Sequence, residues 1–268
     1  MIMNSENNFM GWENPGSALI TGSSSGIGAE FARQLAKQGF DLILVARRKE
    51  KLDTLSKTLQ EKYSINVEVI VADLSKISDN EQVISRINEI ENFDMLINNA
   101  GFGIMQNFMK IERKKHVDMI NVHFTSPVIL CHAAIPGMAK RKRGVIINTS
   151  SMSAISKDPA LIMYTTTKSA VTIFSELLKV KVKGTGIYIQ ALCPGFTYSE
   201  FHDTNAMAGF QRSWYQPERW MEAEEVVSLS LDAVKSKSVI FIPGDVNKES
   251  GKKIRKKTLS KYLNCEWL

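Results

Sequence analysis

Short apolar runs alternate with longer amphipathic segments along this chain. The short runs are typical of buried strands, and the longer segments repeat apolar residues at i, i+3, i+4 and i+7, as on one face of a helix. Strands joined through helices predict right-handed crossovers and a parallel sheet covered on both faces. The pattern therefore predicts an α/β fold, a doubly wound parallel sheet of about seven strands. The predicted strands are Ser17–Thr21, Asp41–Ala46, Asn66–Ala72, Asp94–Asn98, Gly144–Thr149, Ile187–Cys193 and Val239–Ile242, and the predicted helices are Ile27–Gln38, Lys49–Lys62, Ile77–Glu91, Ile111–Ala139, Ile162–Lys183 and Ala223–Val234.

Nothing in the sequence divides the chain into separate domains. It has no internal repeat, no low-complexity linker and no Pro- or Gly-rich boundary, so we expect one domain over 1–268. Three segments lie outside the repeating pattern. They are a polar N-terminal extension at 1–16, a segment at 198–222 and a basic C-terminal tail at 245–268.

The composition is that of an ordinary globular protein. Of the 268 residues, 44% are hydrophobic and 23% are charged, and no apolar run reaches the roughly 18 residues of a membrane-spanning helix. The first sixteen residues are polar and include Glu6 and Glu13, unlike a secretory signal. Cys131, Cys193 and Cys265 are few and far apart. We expect reduced thiols in a cytoplasmic protein, with no disulfide framework and no metal site.

The net charge of +6 is concentrated at the C-terminus. From Lys248 onward there are seven basic and two acidic residues, so this tail carries five of the six positive charges. A nucleic-acid-binding domain would instead spread basic and aromatic residues over one face, so we expect no nucleic-acid partner. The tail is interpreted as a solvated end, and weak attraction to anionic lipid headgroups is the alternative.

A glycine-rich loop follows the first predicted strand. The sequence TGSSSGIG, from Thr21 to Gly28, leads directly into the first predicted helix. Glycines let a backbone turn tightly and approach a pyrophosphate, and a helix N-terminus offers free N–H groups to an anion. The GxxxGxG spacing is a variant of the dinucleotide-binding fingerprint of a Rossmann fold, and its position between a strand and a helix makes the interpretation specific.

The second predicted strand ends without the carboxylate that commonly binds the ribose 2′-hydroxyl of NAD. Arg47 and Arg48 follow Ala46 instead. A guanidinium can pair with a 2′-phosphate, so the sequence favours NADP(H) over NAD(H), with Arg47 as the binding residue. Alternatively, these arginines only begin an exposed helix, an interpretation that remains open for Arg48.

Tyr164 and Lys168 lie four residues apart, and therefore on one face of a predicted helix. A phenol normally titrates near 10, and an ammonium beside it favours the phenolate. Ser151 follows the predicted strand at Gly144–Thr149, where its hydroxyl could hold a substrate oxygen within reach of the tyrosine. Taken alone, a YxxxK spacing is more often an amphipathic surface pair. The functional interpretation therefore depends on other motifs.

Seven motifs occur in order, and together they make the chain resemble the short-chain dehydrogenase/reductase family between about Ser17 and Gly244. Their order and spacing are far more specific than any one of them. The motifs are TGSSSGIG at 21–28, ADL at 72–74, NNAG at 98–101, NV at 121–122, NTSS at 148–151, YTTTK at 164–168 and PGFT at 194–197.

The resemblance implies a catalytic tetrad of Asn121, Ser151, Tyr164 and Lys168. Tyr164 would protonate a carbonyl oxygen as hydride arrives, and Ser151 would hydrogen-bond the same oxygen. Lys168 would lower the pKa of Tyr164 and bind the nicotinamide ribose, while Asn121 would anchor a water that links Lys168 to solvent. Ser150 is the competing serine, but Ser151 has the family's spacing to Tyr164.

Other motif residues are implied as cofactor contacts. Asp73 would touch the adenine, although it could serve only as a cap before Ser75. Thr197, with Ser199 as a further candidate, would hold the carboxamide, and Asn98 is expected to support strands. The implied cofactor set is Gly22, Ser24, Ser25, Gly26, Ile27, Gly28, Arg47, Asp73, Leu74, Asn99, Ala100, Gly101, Tyr164, Lys168, Pro194, Gly195 and Thr197.

The end of the chain departs from the family's pattern. Where many members carry paired glycines that pack a tetramer, this chain has SVIFIPGDVNK and then the basic tail. That ending resembles a branch that includes reductases of long-chain and other apolar carbonyl compounds. By analogy we expect a homodimer through the helices near Val117–Ala139 and Ile162–Lys183, with a homotetramer as the alternative.

The segment at 198–222 is expected to cover the substrate as a lid. Its many large apolar groups would suit a bulky apolar ketone, such as a fatty-acyl, steroid-like or aromatic carbonyl compound, although some of them would cover the core instead. His202 is expected to be a lid residue and not a catalyst. The candidate lid residues are Phe201, Met207, Phe210 and Trp214.

Three functions are compatible with these observations. The first is an NADP(H)-dependent oxidoreductase that transfers a hydride between nicotinamide and a small-molecule carbonyl compound or secondary alcohol. The second is a non-catalytic NADP(H)-binding redox sensor, which the complete tetrad disfavours. The third is a sugar-nucleotide epimerase or dehydratase, which is disfavoured by the GxxxGxG spacing and by the lack of a separate C-terminal substrate domain.

Overall fold

The structure, a computed structural model, describes residues 9–157 and 159–263, with no side-chain description at 159 or over 255–263. The start of the predicted extension, 1–8, and the end of the predicted tail, 264–268, lie outside the described residues. The strands are β1 (Ser17–Thr21), β2 (Asp41–Ala46), β3 (Val67–Val71), β4 (Phe93–Asn98), β5 (Gly144–Thr149), β6 (Ile187–Leu192), β7 (Phe196–Tyr198), β8 (Trp220–Glu222) and β9 (Ile240–Phe241). The helices are α1 (Gly26–Lys37), α2 (Lys49–Tyr63), α3 (Ile77–Glu89), α4 (Arg113–Ile120), α5 (Ser126–Arg141), α6 (Met152–Ser156), α7 (Ile162–Lys181), α8 (Ala223–Asp232) and α9 (Asp245–Leu263), and a π-helical turn at Asn121–Thr125 joins α4 to α5.

The central sheet has seven strands in the order β3-β2-β1-β4-β5-β6-β9, and all of its pairings are parallel. Strand order reverses direction between β1 and β4, so successive crossovers place helices on opposite faces. The predicted doubly wound parallel sheet in one domain is confirmed.

Both faces of the sheet are buried, which explains why its strands are continuous apolar runs. Alternate residues point to opposite sides. Ile20 and Leu44 belong to the core under α1, α2 and α8, whereas Leu19 and Ile43 belong to the core under α3 and α5. Each face of the sheet therefore has its own hydrophobic core.

Strands β7 and β8 and helices α6 and α9 were not predicted from the sequence. Strands β7 and β8 are three residues each and pair in parallel, so they join the two ends of the segment at 199–219. Helix α9 occupies most of the predicted basic tail. Its start is fixed by tertiary contacts: Asn247 is buried, and Gly251 packs so closely on Ile242 that a Cβ would lie 2.9 Å from its Cδ1.

Part of the predicted N-terminal extension packs on the domain. Phe9 and Trp12 each lie near the ring of Phe40, with centroids 5.8 Å and 6.3 Å away. The guanidinium of Arg143 lies 4.2 Å from the Trp12 ring centroid. These aromatic contacts fix the described end of the extension against the base of the sheet.

One continuous helical stretch in the described chain, Arg113–Arg141, is long and apolar enough to cross a membrane by length and composition. Its apolar residues Leu130, Cys131, Ala134 and Met138 are buried in the core against the sheet.

Candidate active site

The candidate site lies at the carboxyl ends of four neighbouring strands. The glycine loop follows β1, the NNAG motif follows β4, Ser151 follows β5 and the PGFT motif follows β6. In open parallel sheets, ligands bind at this edge and beside the point where the strand order reverses. The topology therefore brings together motifs that are up to about 170 residues apart in sequence.

At Gly22 and Gly28 the loop is packed so closely that a side chain would not fit. Gly22 has φ +68, and a Cβ there would lie 2.8 Å from the Ala100 Cα. A Cβ on Gly28 would lie 2.4 Å from the carbonyl oxygen of Gly22. Asn99 supports the loop, since its Nδ2 donates to the carbonyl oxygens of Thr21 and Gly22 at 3.2 Å and 3.4 Å. The backbone and the N-terminus of α1 form a cradle that fits a dinucleotide pyrophosphate.

Arg48, and not the predicted Arg47, reaches the glycine loop. The Arg48 Nη2 donates to the hydroxyls of Ser24 and Ser25, each at 2.7 Å, and its Nη1 lies 2.6 Å from Glu200 Oε2. Arg47 is exposed, and no hydrogen bond joins its side chain to another described residue. The assignment of Arg47 as the residue that binds a 2′-phosphate stays a prediction.

Several other predicted cofactor residues have structural partners. The Asp73 carboxylate accepts from the backbone N–H and the hydroxyl of Ser75, as the capping alternative expects. Asn98 donates to the side chain of Asn148 on β5, so it supports the strands. Leu74 and Ile27 pack in the core or against it. A Cβ on Gly195 would lie 2.5 Å from the Asn247 side chain of α9.

Ser151, Tyr164 and Lys168 come together at the end of β5. The Ser151 hydroxyl acts on the Tyr164 phenol, whose pKa it lowers, and it accepts from the Ser153 N–H at 3.1 Å. The Lys168 Nζ donates to the Thr149 carbonyl oxygen at 2.7 Å and lies 5.8 Å from the Tyr164 ring centroid. Ser150, the competing serine, instead donates to the Lys168 carbonyl oxygen and contacts Thr172. The loop thus presents Ser151 to the tyrosine and ties Ser150 to α7.

The expected lowering of the tyrosine pKa by Lys168 is not found. Burial raises the pKa of Tyr164 to about 12, and the hydrogen bond with Ser151 opposes this shift in part. Burial also lowers the pKa of Lys168 to about 8, because only 4% of the residue is exposed. The ammonium is 5.8 Å from the ring centroid and donates to a backbone carbonyl. In this arrangement desolvation outweighs the attraction between the two groups.

Asn121 begins the π-helical turn between α4 and α5. Its Nδ2 donates to the Ser75 carbonyl oxygen at 3.0 Å, and its Oδ1 lies 3.4 Å from the Thr125 hydroxyl. The side chain therefore links this turn to the start of α3. Its predicted role as the anchor of a water beside Lys168 stays a prediction.

His123 is a site residue that the sequence analysis missed. It is 1% exposed, its ring lies edge-on to Tyr164 at 5.5 Å, and its Nε2 accepts from the Phe102 N–H at 3.0 Å. Nε2 is therefore unprotonated, and Nδ1 carries the proton toward the Thr167 hydroxyl at 3.0 Å. Burial and the nearby Lys168 hold its pKa well below the usual value, so the ring is neutral. In a regular α-helix, residues two positions apart point in different directions, so a histidine two positions after Asn121 was not expected in the same site. The π-helical turn that changes this spacing leaves no signal in the sequence.

The predicted lid contacts the site through some of its residues only. The Phe201 ring lies 5.7 Å from that of Tyr164, and the buried Met207 lies beside Gly103, where a Cβ would be 2.6 Å from its Sδ. Phe210 stacks on His202 at 4.5 Å instead, and Trp214 is 52% exposed. The His202 pKa is lowered to about 4 by burial, which leaves this lid residue neutral. Phe210 and Trp214 therefore belong to an aromatic cluster beside the site.

The assembled site combines a proton donor, a second hydroxyl and a buried cation next to a dinucleotide cradle. Among the described residues, no group of His, Cys, Asp and Glu could hold a metal ion. Such an arrangement can bind a dinucleotide and move a proton to or from a substrate oxygen.

Comparisons with known proteins identify a family model and several related sequences. The family model for short chain dehydrogenase matches residues 17–208. The chain is 35% identical over 179 residues to hydroxysteroid dehydrogenase-like protein 1 of Gallus gallus, covering 66% of this chain and 54% of the relative. It is 30% identical over 233 residues to very-long-chain 3-oxoacyl-CoA reductase-B of Danio rerio, covering 84% and 71%. The Homo sapiens relative, 30% identical with 79% and 64% covered, is named inactive hydroxysteroid dehydrogenase-like protein 1. The chain thus spans between about half and two thirds of the first curated relatives.

Two solved structures share the fold over nearly the whole chain. A short-chain dehydrogenase from Sphingobium yanoikuyae in complex with NADPH aligns with a TM-score of 0.82 at 29% identity, covering 94% of this chain and 97% of that one. The bulky-bulky ketone specific alcohol dehydrogenase from Comamonas testosteroni aligns with a TM-score of 0.78 at 28% identity, covering 96% of each. Because the family model covers well over half of the residues and these folds agree throughout, the chain belongs to the short-chain dehydrogenase/reductase family of oxidoreductases.

Proposed function

We propose that this chain is an NADP(H)-dependent carbonyl reductase, working reversibly as an alcohol dehydrogenase, on a bulky apolar ketone. The observation that carries the proposal is the cluster at the end of β5, where the buried ammonium of Lys168 is held by the Thr149 carbonyl and lies 5.8 Å from the Tyr164 ring centroid, with Ser151 at the same strand end. If Tyr164 and Lys168 were only an amphipathic surface pair, Lys168 would be exposed, because burying an ammonium costs free energy. It is instead only 4% exposed.

A nicotinamide cofactor would supply or accept the hydride when bound, and the chain's residues would handle the proton and the oxygen. With a pKa of about 12, Tyr164 keeps its proton at neutral pH and can donate it to a carbonyl oxygen that gains charge. Ser151 can donate to the same oxygen. Lys168, held by the Thr149 carbonyl, would favour the negative charge that proton transfer leaves on the tyrosine oxygen.

The preference for NADP(H) is proposed on the position of Arg48. Its guanidinium meets the hydroxyls of Ser24 and Ser25 at the glycine loop, where these donors would bind a 2′-phosphate. The structural neighbour from Sphingobium yanoikuyae is a complex with NADPH. We expect Arg48→Ala to weaken NADPH binding about tenfold and to leave NADH binding unchanged, and Arg47→Ala, measured in parallel, decides between the two arginines.

The proposed substrate class follows from the groups over Tyr164. Phe201 and Met207 are the apolar side chains that the lid brings to this region. Two similar proteins are named for bulky or long-chain carbonyl compounds, the ketone-specific dehydrogenase from Comamonas testosteroni and the 3-oxoacyl-CoA reductase of Danio rerio. Both support a large apolar ketone over a small polar one.

A homodimer is proposed from an exposed apolar stripe on α7. Ile173, Leu177 and Val180 are 56%, 67% and 73% exposed and follow a helical spacing. Val117 and Ile120 on the adjacent helix α4 are exposed as well. In a two-fold symmetric dimer, the stripe on α7 of one copy would pack against the same stripe of the second copy.

A sensor without turnover is the second candidate. One observation favours it, the human relative whose name includes the word inactive. Such a protein would bind the cofactor with the same cradle, and would not require Tyr164 to transfer a proton.

The test is NADPH oxidation, followed by absorbance, with ketones that range from small and polar to large and apolar. We expect turnover to rise with apolar bulk, and Tyr164→Phe to lower it at least about a hundredfold while NADPH still binds. Tyr188→Phe, which alters an exposed tyrosine on β6, is the matched control. Tight NADPH binding without turnover on any ketone would favour the sensor.

A further inference from the structure

Glu200 is an acidic residue placed on the cationic groups beside the dinucleotide cradle. Its carboxylate accepts from Arg48 Nη1 at 2.6 Å and also pairs with the Lys51 ammonium. Arg48 in turn donates to Ser24 and Ser25 of the glycine loop. In this structure the Glu200 carboxylate therefore binds the Arg48 guanidinium, the same group that is proposed above to bind a 2′-phosphate.

The ion pair between Glu200 and Arg48 is charged at neutral pH, but another anion can compete for Arg48. Hydrogen bonds from Lys51 and Arg48 lower the pKa of Glu200 to about 2, so its carboxylate is ionised. The Arg48 and Glu200 side chains are 45% and 47% exposed, and ion pairs as exposed as this are individually weak. A phosphate carries nearly twice the charge of a carboxylate at neutral pH. It can therefore displace Glu200 from the same cations.

Glu200 also belongs to the segment that covers the catalytic tyrosine. The preceding residue, Ser199, lies against the glycine loop, since a Cβ on Gly26 would be 3.0 Å from the Ser199 Cβ. The following residue, Phe201, has its ring 5.7 Å from that of Tyr164. Three consecutive residues therefore connect the glycine loop, the cationic pair and the tyrosine.

We propose, on the basis of the proposed function, that Glu200 is a latch that a 2′-phosphate opens. Its carboxylate holds residues 199–203 over Tyr164 until the 2′-phosphate of NADP(H) takes its place on Arg48 and Lys51. Displacement frees the segment that carries Phe201. NADH has a hydroxyl at this position and does not compete for the cations, so Glu200 lowers the affinity for NADPH alone.

The test measures NADPH and NADH affinity by fluorescence titration in the wild type and in Glu200→Gln. We expect NADPH to bind about fivefold more tightly to the variant, and NADH to bind equally to both proteins. Asp203→Asn is the matched control, because it removes the same charge from the same turn, where Asp203 pairs with Arg212 at 2.8 Å. The control is expected to leave NADPH affinity unchanged.

A second measurement follows the segment itself. Amide hydrogen exchange over 199–203 is expected to quicken with 2′,5′-ADP, which carries the phosphate without a nicotinamide, and to stay unchanged with 5′-AMP. Equal exchange with the two nucleotides overturns the release of the segment.

The outcomes separate this inference from the proposed function. If the wild type prefers NADPH and Glu200→Gln binds it no more tightly, the latch is overturned and the cofactor preference stands. Weaker NADH binding by Glu200→Gln would assign the carboxylate to a ribose hydroxyl and overturn the latch as well. Equal tightening in Glu200→Gln and Asp203→Asn is a general charge effect and also overturns it. Equal wild-type affinity for both cofactors overturns the NADP(H) preference and the latch together.

Discussion

Lys168 is the residue on which the electrostatics of the site depend. It is buried without a carboxylate in hydrogen-bond contact among the described residues, and its ammonium is held by the Thr149 carbonyl. Desolvation lowers its pKa from the usual value to about 8. The cation that would favour a negatively charged Tyr164 oxygen is thus present below that pH and lost above it.

The first prediction is therefore an alkaline limit on activity. We expect kcat/KM for ketone reduction to fall as pH rises through about 8, by roughly tenfold at pH 9, since this ratio reports the free enzyme. Tyr164, with a pKa of about 12, stays protonated throughout this range and cannot cause the fall. A pH profile of kcat/KM checks the prediction, and a profile that is flat to about pH 9.5 would contradict it.

The second prediction concerns His123. His123→Leu would leave the Phe102 N–H and the Thr167 hydroxyl without their present partner, and would remove the ring that packs on Tyr164. We expect the free energy of unfolding to fall by about 2–3 kcal/mol and turnover to decrease. Urea denaturation measures the first effect. His132→Leu alters an exposed histidine on α5 and should stay within about 0.5 kcal/mol of the wild type; equal stability of the two variants would refute this role.

At the scale of elements, the cofactor cradle depends on contact between the glycine loop and its neighbours. Because Gly28 has no side chain, the start of α1 can pack closely against the glycine loop. Asn99 links the loop to the end of β4 by a hydrogen bond. The N-terminus of α1 is thereby held where its N–H groups can meet a pyrophosphate.

The third prediction is that Gly28→Ala disrupts this cradle. The new methyl group would be 2.4 Å from the Gly22 carbonyl oxygen, so the loop must shift, and NADPH affinity should fall at least about tenfold. Gly137→Ala is the control, since its Cβ on α5 meets only Arg141 Nη1 at 3.4 Å. That change should leave binding unaltered and stabilise the helix by about 0.5–1 kcal/mol. Equal NADPH affinity of the two variants would show that the close packing of Gly28 is not needed for binding.

At the scale of the whole molecule, the exposed stripe on α7 lies on a helix whose other side carries the active site. Lys168 and Thr172 on this helix are buried, whereas Leu177 and Val180 are exposed. A second copy that packs on α7 would therefore support the helix that holds Tyr164 and Lys168.

The fourth prediction is that Leu177→Glu yields a monomer. A carboxylate on a side chain that is 67% exposed in the single chain would be buried without a partner in the dimer, which opposes association. Size-exclusion chromatography with light scattering gives the mass. Ile77→Glu, at an equally exposed position on α3, should keep the wild-type mass. A monomeric wild type would refute the proposed dimer.

The sequence by itself determined the architecture and most of the chemistry. Buried parallel strands need continuous apolar runs, and the glycine loop needs residues without side chains, so both leave a local pattern that can be recognised. The grouping of Ser151, Tyr164 and Lys168 was implied before their contacts were known by the resemblance of the ordered motifs to a known family.

Only the tertiary structure decided which groups meet across distant segments. It placed Arg48 rather than Arg47 on the loop, put His123 against Tyr164, and set Glu200 on Arg48 and Lys51. It also made burial, rather than the neighbouring cation, dominate the tyrosine pKa. These outcomes depend on side-chain direction, a π turn and desolvation, which arise from packing between segments far apart in the chain and leave no periodic signal along it.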